Sequence, residues 1–191
     1  MLLLVVGLVL FLGVHSVRIV AEDWRNRTRA RLGEGAWKGL YTLLSLAGLA
    51  AIVVGYGWAR REPVPLWTPL VWMRHPAALL NLVAFVMLTA AYVPRNHVKA
   101  ALKHPMLLGV KVWAFAHLLS NHTLADLLLF GGFLVWAVLC FRAARGRDRA
   151  AGITYPPGEV VPTVLTVVIG VAAAAAFALW GHTRLIGVSP V

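Results

Sequence analysis

The sequence predicts an all-α protein, a polytopic transmembrane bundle of about six spans with both termini on the non-cytoplasmic side. Three observations predict it. Of 191 residues, 60% are hydrophobic and 13% charged, against about 45–50% apolar and about 25% charged in a soluble globular domain. The apolar residues gather into runs close to the roughly 20 residues that a helix needs to cross a bilayer. The bases fall between those runs, dense and sparse in turn, as loops on alternate sides of a membrane should be.

The runs cover approximately residues 2–21, 38–58, 75–93, 105–121, 124–143 and 160–181. The first, within MLLLVVGLVLFLGVHS, has no charged residue after Met1 and no clean small-x-small cleavage site, so it reads as a retained helix rather than a signal peptide. In the second, Ala47, Ala51 and Gly55 recur every four residues, the small-residue seam along which membrane helices approach closely. Pro94 ends the third run, and Pro105 opens the fourth at its first turn. Thr123-Leu-Ala-Asp126 reads as a capping box opening the fifth, which makes Asp126 a cap rather than a proton carrier. Gly131-Gly132 offers that helix a second close-approach point. Pro156-Pro157-Gly158 forms the loop before the sixth. No linker-like stretch separates two apolar blocks, so residues 1–191 read as a single integral membrane domain.

The net charge of +11 raises the question of nucleic acid, but no basic stretch is combined with a reader motif, and a membrane-topology signal accounts for it. The first loop holds Arg25, Arg27, Arg29, Arg31 and Lys38; the third holds Arg95, Lys99 and Lys103; the fifth holds Arg142, Arg145, Arg147 and Arg149. The second has Arg60, Arg61 and Arg74, the fourth has no base, and the tail has Arg184. Odd loops therefore face the cytoplasm. Trp37, Trp58, Trp67, Trp72 and Trp180 fall near span ends, as an aromatic belt would. Cys140 is the only cysteine, which excludes an internal disulfide and a cysteine-based metal site.

The stretch KHPMLLGVKVWAFAHLLSNH, residues 103–122, carries titratable groups inside an apolar run. His104 marks the helix start, and Lys111, on nearly the same face, can snorkel to the headgroups. Met106, Trp113, His117 and Asn121 share a roughly opposite face. An imidazole in a span should look into the bundle and have a partner; His122 lies just past the span, in a loop. A second imidazole, His15, sits in the first run beside Ser16. Two neutral imidazoles from two spans, in an apolar setting without cysteines, suit the axial positions of a haem iron. Zinc asks for three or four protein ligands, and no glutamate stands near either histidine for a di-iron site. His75, His97 and His182 fall near span ends.

Four stretches resemble one family. HP-x3-G-x3-W-x3-H-x3-N from His104 to Asn121, FLGVHS at 11–16, LGEGAWKGLYTLLSLAGL at 32–49 and LWGHTRLIGVSP at 179–190 are similar to the motifs of the NnrU membrane proteins. The resemblance runs over almost the whole chain. It implies a bacterial inner-membrane protein associated with reduction of nitrite and nitric oxide. It also implies a relationship to plant and algal zeta-carotene isomerase, which uses haem b for cis–trans isomerisation of a polyene and whose haem-binding histidines match His15 and His117. A third histidine of that enzyme aligns near Tyr56, so a ligand exchange involving it does not carry over. This chain also has Asn121-His122 where the family has Asn-Gly.

On this reading His15 and His117 are the axial ligands of haem b, Trp113 backs His117, and His104, Lys111 and Asn121 are secondary contacts. With His15 about six residues and His117 about twelve residues from the cytoplasmic ends of their spans, their depths differ by roughly 9 Å in untilted helices. Helix tilt closes part of such a gap; without it, His15 with His104 is the competing pair. The functions in contention are a haem-dependent membrane protein of nitrogen-oxide respiration with a redox partner, a polyene isomerase, and a metal-free transporter or scaffold whose histidines make only interhelical hydrogen bonds. Against transport stands the lack of inverted repeats and buried carboxylates.

Overall fold

The structure is a computed structural model and describes residues 1–68 and 70–190. Every apolar run folds as helix, and no strand forms among the described residues. In chain order the helices are α1 (Leu2–Val20), α2 (Glu22–Leu32), α3 (Glu34–Ala59), α4 (Arg74–Tyr92), α5 (His97–Leu102), α6 (Pro105–Ser120), α7 (Leu124–Ala150), α8 (Val160–Ala176) and α9 (His182–Ile186). Five stretches are long and apolar enough to cross a membrane: Leu2–Val20, Glu34–Ala59, Val71–Tyr92, Leu124–Ala150 and Val160–Ile186. The remaining apolar helix, α6, has 16 residues, about 24 Å at 1.5 Å per residue, and is as short as its sequence indicates.

The chain divides into two compact units, Met1–Thr68 with His122–Cys140, and Pro69–Asn121 with Phe141–Val191. In the first, α1 and α3 pack backbone to backbone. A Cβ added at Gly7 would lie 2.6 Å from Ile52 N, one at Gly48 would lie 2.8 Å from Phe11 N, and one at Gly55 would overlap the backbone of Leu4. The buried stripe of α3 is Gly48, Ile52, Gly55 and Ala59. Of the seam expected from sequence, Gly55 and Ala51 lie against α1, a Cβ at Gly7 falling 3.0 Å from Ala51 Cβ, whereas Ala47 is exposed, because a stripe along a helix of 3.6 residues per turn drifts away from a strict four-residue repeat. Gly131 and Gly132 also depart from expectation. Added Cβ atoms there would meet Leu127 Cδ1 at 3.7 Å, and Leu12 Cδ1 and Leu8 Cδ2 at 3.5 and 4.0 Å, ordinary side-chain contacts that require no glycine.

The start of α7 forms as its sequence dictates. Thr123 N and Oγ1 donate to Asp126 Oδ2 at 2.9 and 2.6 Å, and Asp126 N donates to Thr123 Oγ1 at 3.3 Å, the reciprocal capping box. The preceding turn is tied to the α3–α4 loop by Leu66 N to His122 O, 2.8 Å, and Leu124 N to Val64 O, 2.9 Å. His122 is thus the loop residue expected, with its carbonyl engaged.

In the second unit α4 packs against α6 and α8. Gly109 and Gly170 permit the approach, since their Cβ atoms would lie 3.1 Å from Ala84 O and 2.7 Å from Val86 Cα. Asn96 is fully buried; its Oδ1 caps α5 at Lys99 N, 2.7 Å, and its Nδ2 donates to Ala90 O and Val93 O at 3.0 and 2.6 Å. The Pro156-Pro157-Gly158 loop is held on α5, with Glu159 N donating to Arg95 O at 2.7 Å and Arg95 paired with Glu159 at 3.1 Å. The last apolar helix passes through a π-helical turn, Phe177–Gly181, into α9.

Two helices fall where the sequence suggested loops. α2 and α5 are polar or short and carry no apolar period to announce them. α7 also runs seven residues past its apolar run, to Ala150, through an Ala- and Arg-rich segment with good helix propensity.

Candidate functional site

His15 lies in the second turn of α1 from its C-terminus, on a face that meets α3 and α7. Its Nδ1 is 2.7 Å from Phe11 O. A carbonyl can only accept, so Nδ1 carries the proton and the lone pair of the neutral ring resides on Nε2. Three aromatic rings surround the imidazole: Phe11 stacked at 4.2 Å, Tyr41 edge-on at 5.2 Å and Trp136 edge-on at 6.1 Å. Among the described residues the indole Nε1 of Trp136 and the hydroxyl of Ser45 are buried without a hydrogen-bond partner. Buried donors are seldom left so, and one of these belongs to a ring that flanks His15.

The same imidazole lines a cavity of about 470 Å³, together with Val14, Val17, Arg18, Arg25, Arg29, Trp37, Lys38, Tyr41 and Thr42. Its volume lies within the about 300–1,000 Å³ typical of small-molecule sites. α2 supplies Arg25 and Arg29, four residues apart on one face, and Arg25 lies 5.9 Å over the Trp37 ring. Sequence reasoning placed these bases in the first loop for topology and did not connect them with His15; it quoted Tyr41 only within the 32–49 stretch and passed over Trp136. The folding of α2 onto α3 brings Arg25 and Arg29 to the cavity. A cavity of 490 Å³ at the other end of the α1–α3 pair is lined by Met1, Trp58, Ala59, Arg61, Glu62 and Val64 and holds no imidazole.

His117, in the second unit, repeats the anchoring of His15. Its Nδ1 is 2.8 Å from Trp113 O, again the carbonyl four residues earlier, which leaves the lone pair on Nε2. Trp113 lies 5.1 Å from the imidazole, ring to ring, and Asn121 Nδ2 donates to His117 O at 2.8 Å. The shared face of Trp113, His117 and Asn121 is therefore real. Lys111 points elsewhere, with Nζ 3.9 Å from the centre of the Phe141 ring, a cation–π contact.

His104 is the residue the sequence undervalued. It stands at the N-cap of α6, before Pro105 at N1, as expected. Its Nε2 lies 2.8 Å from Asp148 Oδ2, which also accepts the Tyr155 hydroxyl at 2.9 Å. Arg145 stands 3.6 Å from the same oxygen. Burial, reinforced by the bond to Asp148, raises the Tyr155 phenol above its ordinary value. Among the described residues no group of three or more His, Cys, Asp or Glu side chains is placed to hold a metal ion.

By helix length and composition, then, this is an α-helical integral membrane protein whose first unit holds an aromatic-walled imidazole in a cavity with a basic rim. The chain belongs to the NnrU protein family, whose model matches residues 3–190. No curated protein and no solved structure matches it.

Proposed function

We propose that the chain is a haem b protein of the bacterial inner membrane that serves the reduction of nitrite or nitric oxide, with His15 and His117 as the axial ligands. The observation that carries the reading is the environment of His15. Its Nδ1–H is spent on Phe11 O, its ring neighbours are aromatic, and its cavity is lined by Val14, Val17, Trp37 and Tyr41 together with four cations. Those are the features a porphyrin with ionised carboxylates requires of a protein. The matching anchor of His117 on Trp113 O supports it as the second ligand. His104, the competing second ligand, has its Nε2 2.8 Å from Asp148 Oδ2.

The proposal includes six crossings, with α6 as the short one, odd loops on the cytoplasmic side and lipid around the apolar helix faces. When bound, haem would supply an iron able to exchange electrons with a redox partner and to take nitric oxide in place of one of the two histidines. The residues here do the rest. The backbone bonds of His15 and His117 hold each imidazole in one tautomer and rotation, as outer partners of metal-bound histidines do. Phe11, Tyr41 and Trp136 exclude water from around His15. The alternative as a polyene isomerase finds less support: Tyr56 stands where the resemblance places a third histidine, and its hydroxyl is committed to Asp126.

The test is a reduced-minus-oxidised absorption spectrum of the detergent-purified protein, repeated on His15→Ala and His117→Ala and after addition of nitric oxide. The expected result is a b-type spectrum that nitric oxide shifts and that both substitutions alter or abolish. Absence of haem after expression with ample haem supply, with both variants folded as the parent, would instead favour the scaffold or transporter. A haem spectrum indifferent to nitric oxide, with turnover of a cis-polyene, would favour the isomerase.

A further inference from the structure

The cavity of the first unit is lined by more than the aromatic neighbours of His15. Arg18, Arg25, Arg29 and Lys38, from three helices, line it as well. We infer that Arg25 and Arg29 of α2, with Lys38 of α3, are the carboxylate-binding end of the cofactor site and receive the two ionised carboxylates of the tetrapyrrole. The inference rests on the haem reading above and adds the residues that orient the ring and select its acidic form.

Charge and spacing carry it. Of the four cations, Arg18 pairs with Glu22 at 3.5 Å, while Arg29 and Lys38 share Glu34 Oε1 at 3.3 and 2.8 Å. Four bases meet two carboxylates, which leaves a surplus of two positive charges in a cavity whose other lining residues are Val14, His15, Val17, Trp37, Tyr41 and Thr42. Glu34 also shows that Arg29 and Lys38 are spaced to grip one carboxylate between them. It is an exposed side chain and can yield that place to a ligand. Arg25 is half-buried; its guanidinium is oriented by Trp37 at 5.9 Å and by Asn26 Oδ1 at 3.0 Å, and its remaining N–H groups are available to a second carboxylate. Helix α2 sorts its arginines accordingly. Arg25 and Arg29 lie on the face toward the cavity, whereas Arg27 and Arg31 do not line it.

The experiment titrates the purified, haem-free protein in detergent with iron protoporphyrin and with its dimethyl ester, and follows the absorption spectrum. The parent should bind the free acid more tightly than the diester by about tenfold or more, the scale of one lost charged hydrogen bond. Arg25→Gln with Arg29→Gln should erase that preference, and Lys38→Gln alone should reduce it. Arg27→Gln with Arg31→Gln, the same loss of charge on the same helix, should keep it. Equal binding of acid and diester by the parent would overturn the inference and leave the haem reading intact, as would an equal effect of the Arg27 and Arg31 pair. Binding of neither porphyrin would sink the haem reading itself.

Discussion

The hydroxyl of Tyr56 donates to Asp126 Oδ1 at 2.6 Å, joining α3 to the start of α7 across seventy residues of sequence. The other oxygen of Asp126 accepts from Thr123 N and Oγ1, so one buried carboxylate both caps a helix and clamps two helices together. Removing it leaves a buried backbone N–H and a buried phenol unpaired. Asp126→Ala should cost about 2–3 kcal/mol, combining a lost cap with unsatisfied donors. Tyr56→Phe removes one bond and leaves the cap intact, so its cost should be nearer 1 kcal/mol. Thermal unfolding of the two variants in detergent checks the order, and equal destabilisation would show that the clamp, not the cap, dominates.

The α1–α3 seam makes a prediction that needs no ligand. An added methyl at Gly55 would overlap Leu4 backbone, while nothing lies within 4 Å of a Cβ at Gly57. Gly55→Ala should therefore destabilise by about 1–3 kcal/mol, as overpacking does. Gly57→Ala, two residues along the same helix, should be neutral or slightly stabilising, since alanine is the better helix former. A comparison of melting temperatures suffices, and a Gly55→Ala protein as stable as its parent would refute the backbone-to-backbone seam.

These contrasts show which parts of the structure were legible in the sequence. Long apolar runs, Pro105 at the head of α6 and the Thr123–Asp126 box were readable because each depends on residues within one turn or one span. Of the small residues expected along α3, Ala51 and Gly55 face α1 and Ala47 does not, since small residues occur on both sides of the true face. α2 was hidden because eleven mostly polar residues have no hydrophobic period, although they form half of the cavity mouth. His104 seemed a simple helix marker because its partners Asp148 and Tyr155 are 44 and 51 residues away. The imidazole of His15 was visible as a candidate, but the rings that enclose it come from α3 and α7 and were not.

The His104–Asp148–Tyr155 cluster predicts a pH effect with a definite sign. The folded protein raises the Tyr155 phenol above its value in the unfolded chain, so the folded state holds that proton more tightly. The resulting stability is fully present below the ordinary phenol value of about 10 and is lost as pH rises through the raised one. Tyr155→Phe removes this dependence. The difference in unfolding free energy between parent and variant should shrink between neutral pH and strongly alkaline pH, and a constant difference across that range would contradict the cluster as described. Comparing the two proteins at each pH cancels the contributions of the other tyrosines.

Asn96 offers the sharpest test of side-chain accounting in the second unit. At an ordinary helix N-cap, asparagine, aspartate and serine are nearly interchangeable. Here the amide does two jobs: Oδ1 caps α5 at Lys99 N, and Nδ2 satisfies the carbonyls of Ala90 and Val93, all in a residue with no solvent exposure. Asn96→Asp keeps the cap but turns two donors into acceptors, so a buried carboxylate would face two carbonyl oxygens. That variant should lose about 2–4 kcal/mol, combining desolvation of an unpaired polar group with two lost bonds. Asn96→Ser keeps the cap and leaves the carbonyls unbonded but not opposed, and should fall between the aspartate variant and the parent. Chemical denaturation in a fixed detergent, compared at one pH near neutrality, gives the ranking. If the aspartate variant proves as stable as the parent, Asn96 is a cap only, and the bonds to Ala90 and Val93 contribute nothing to holding the α4–α5 turn.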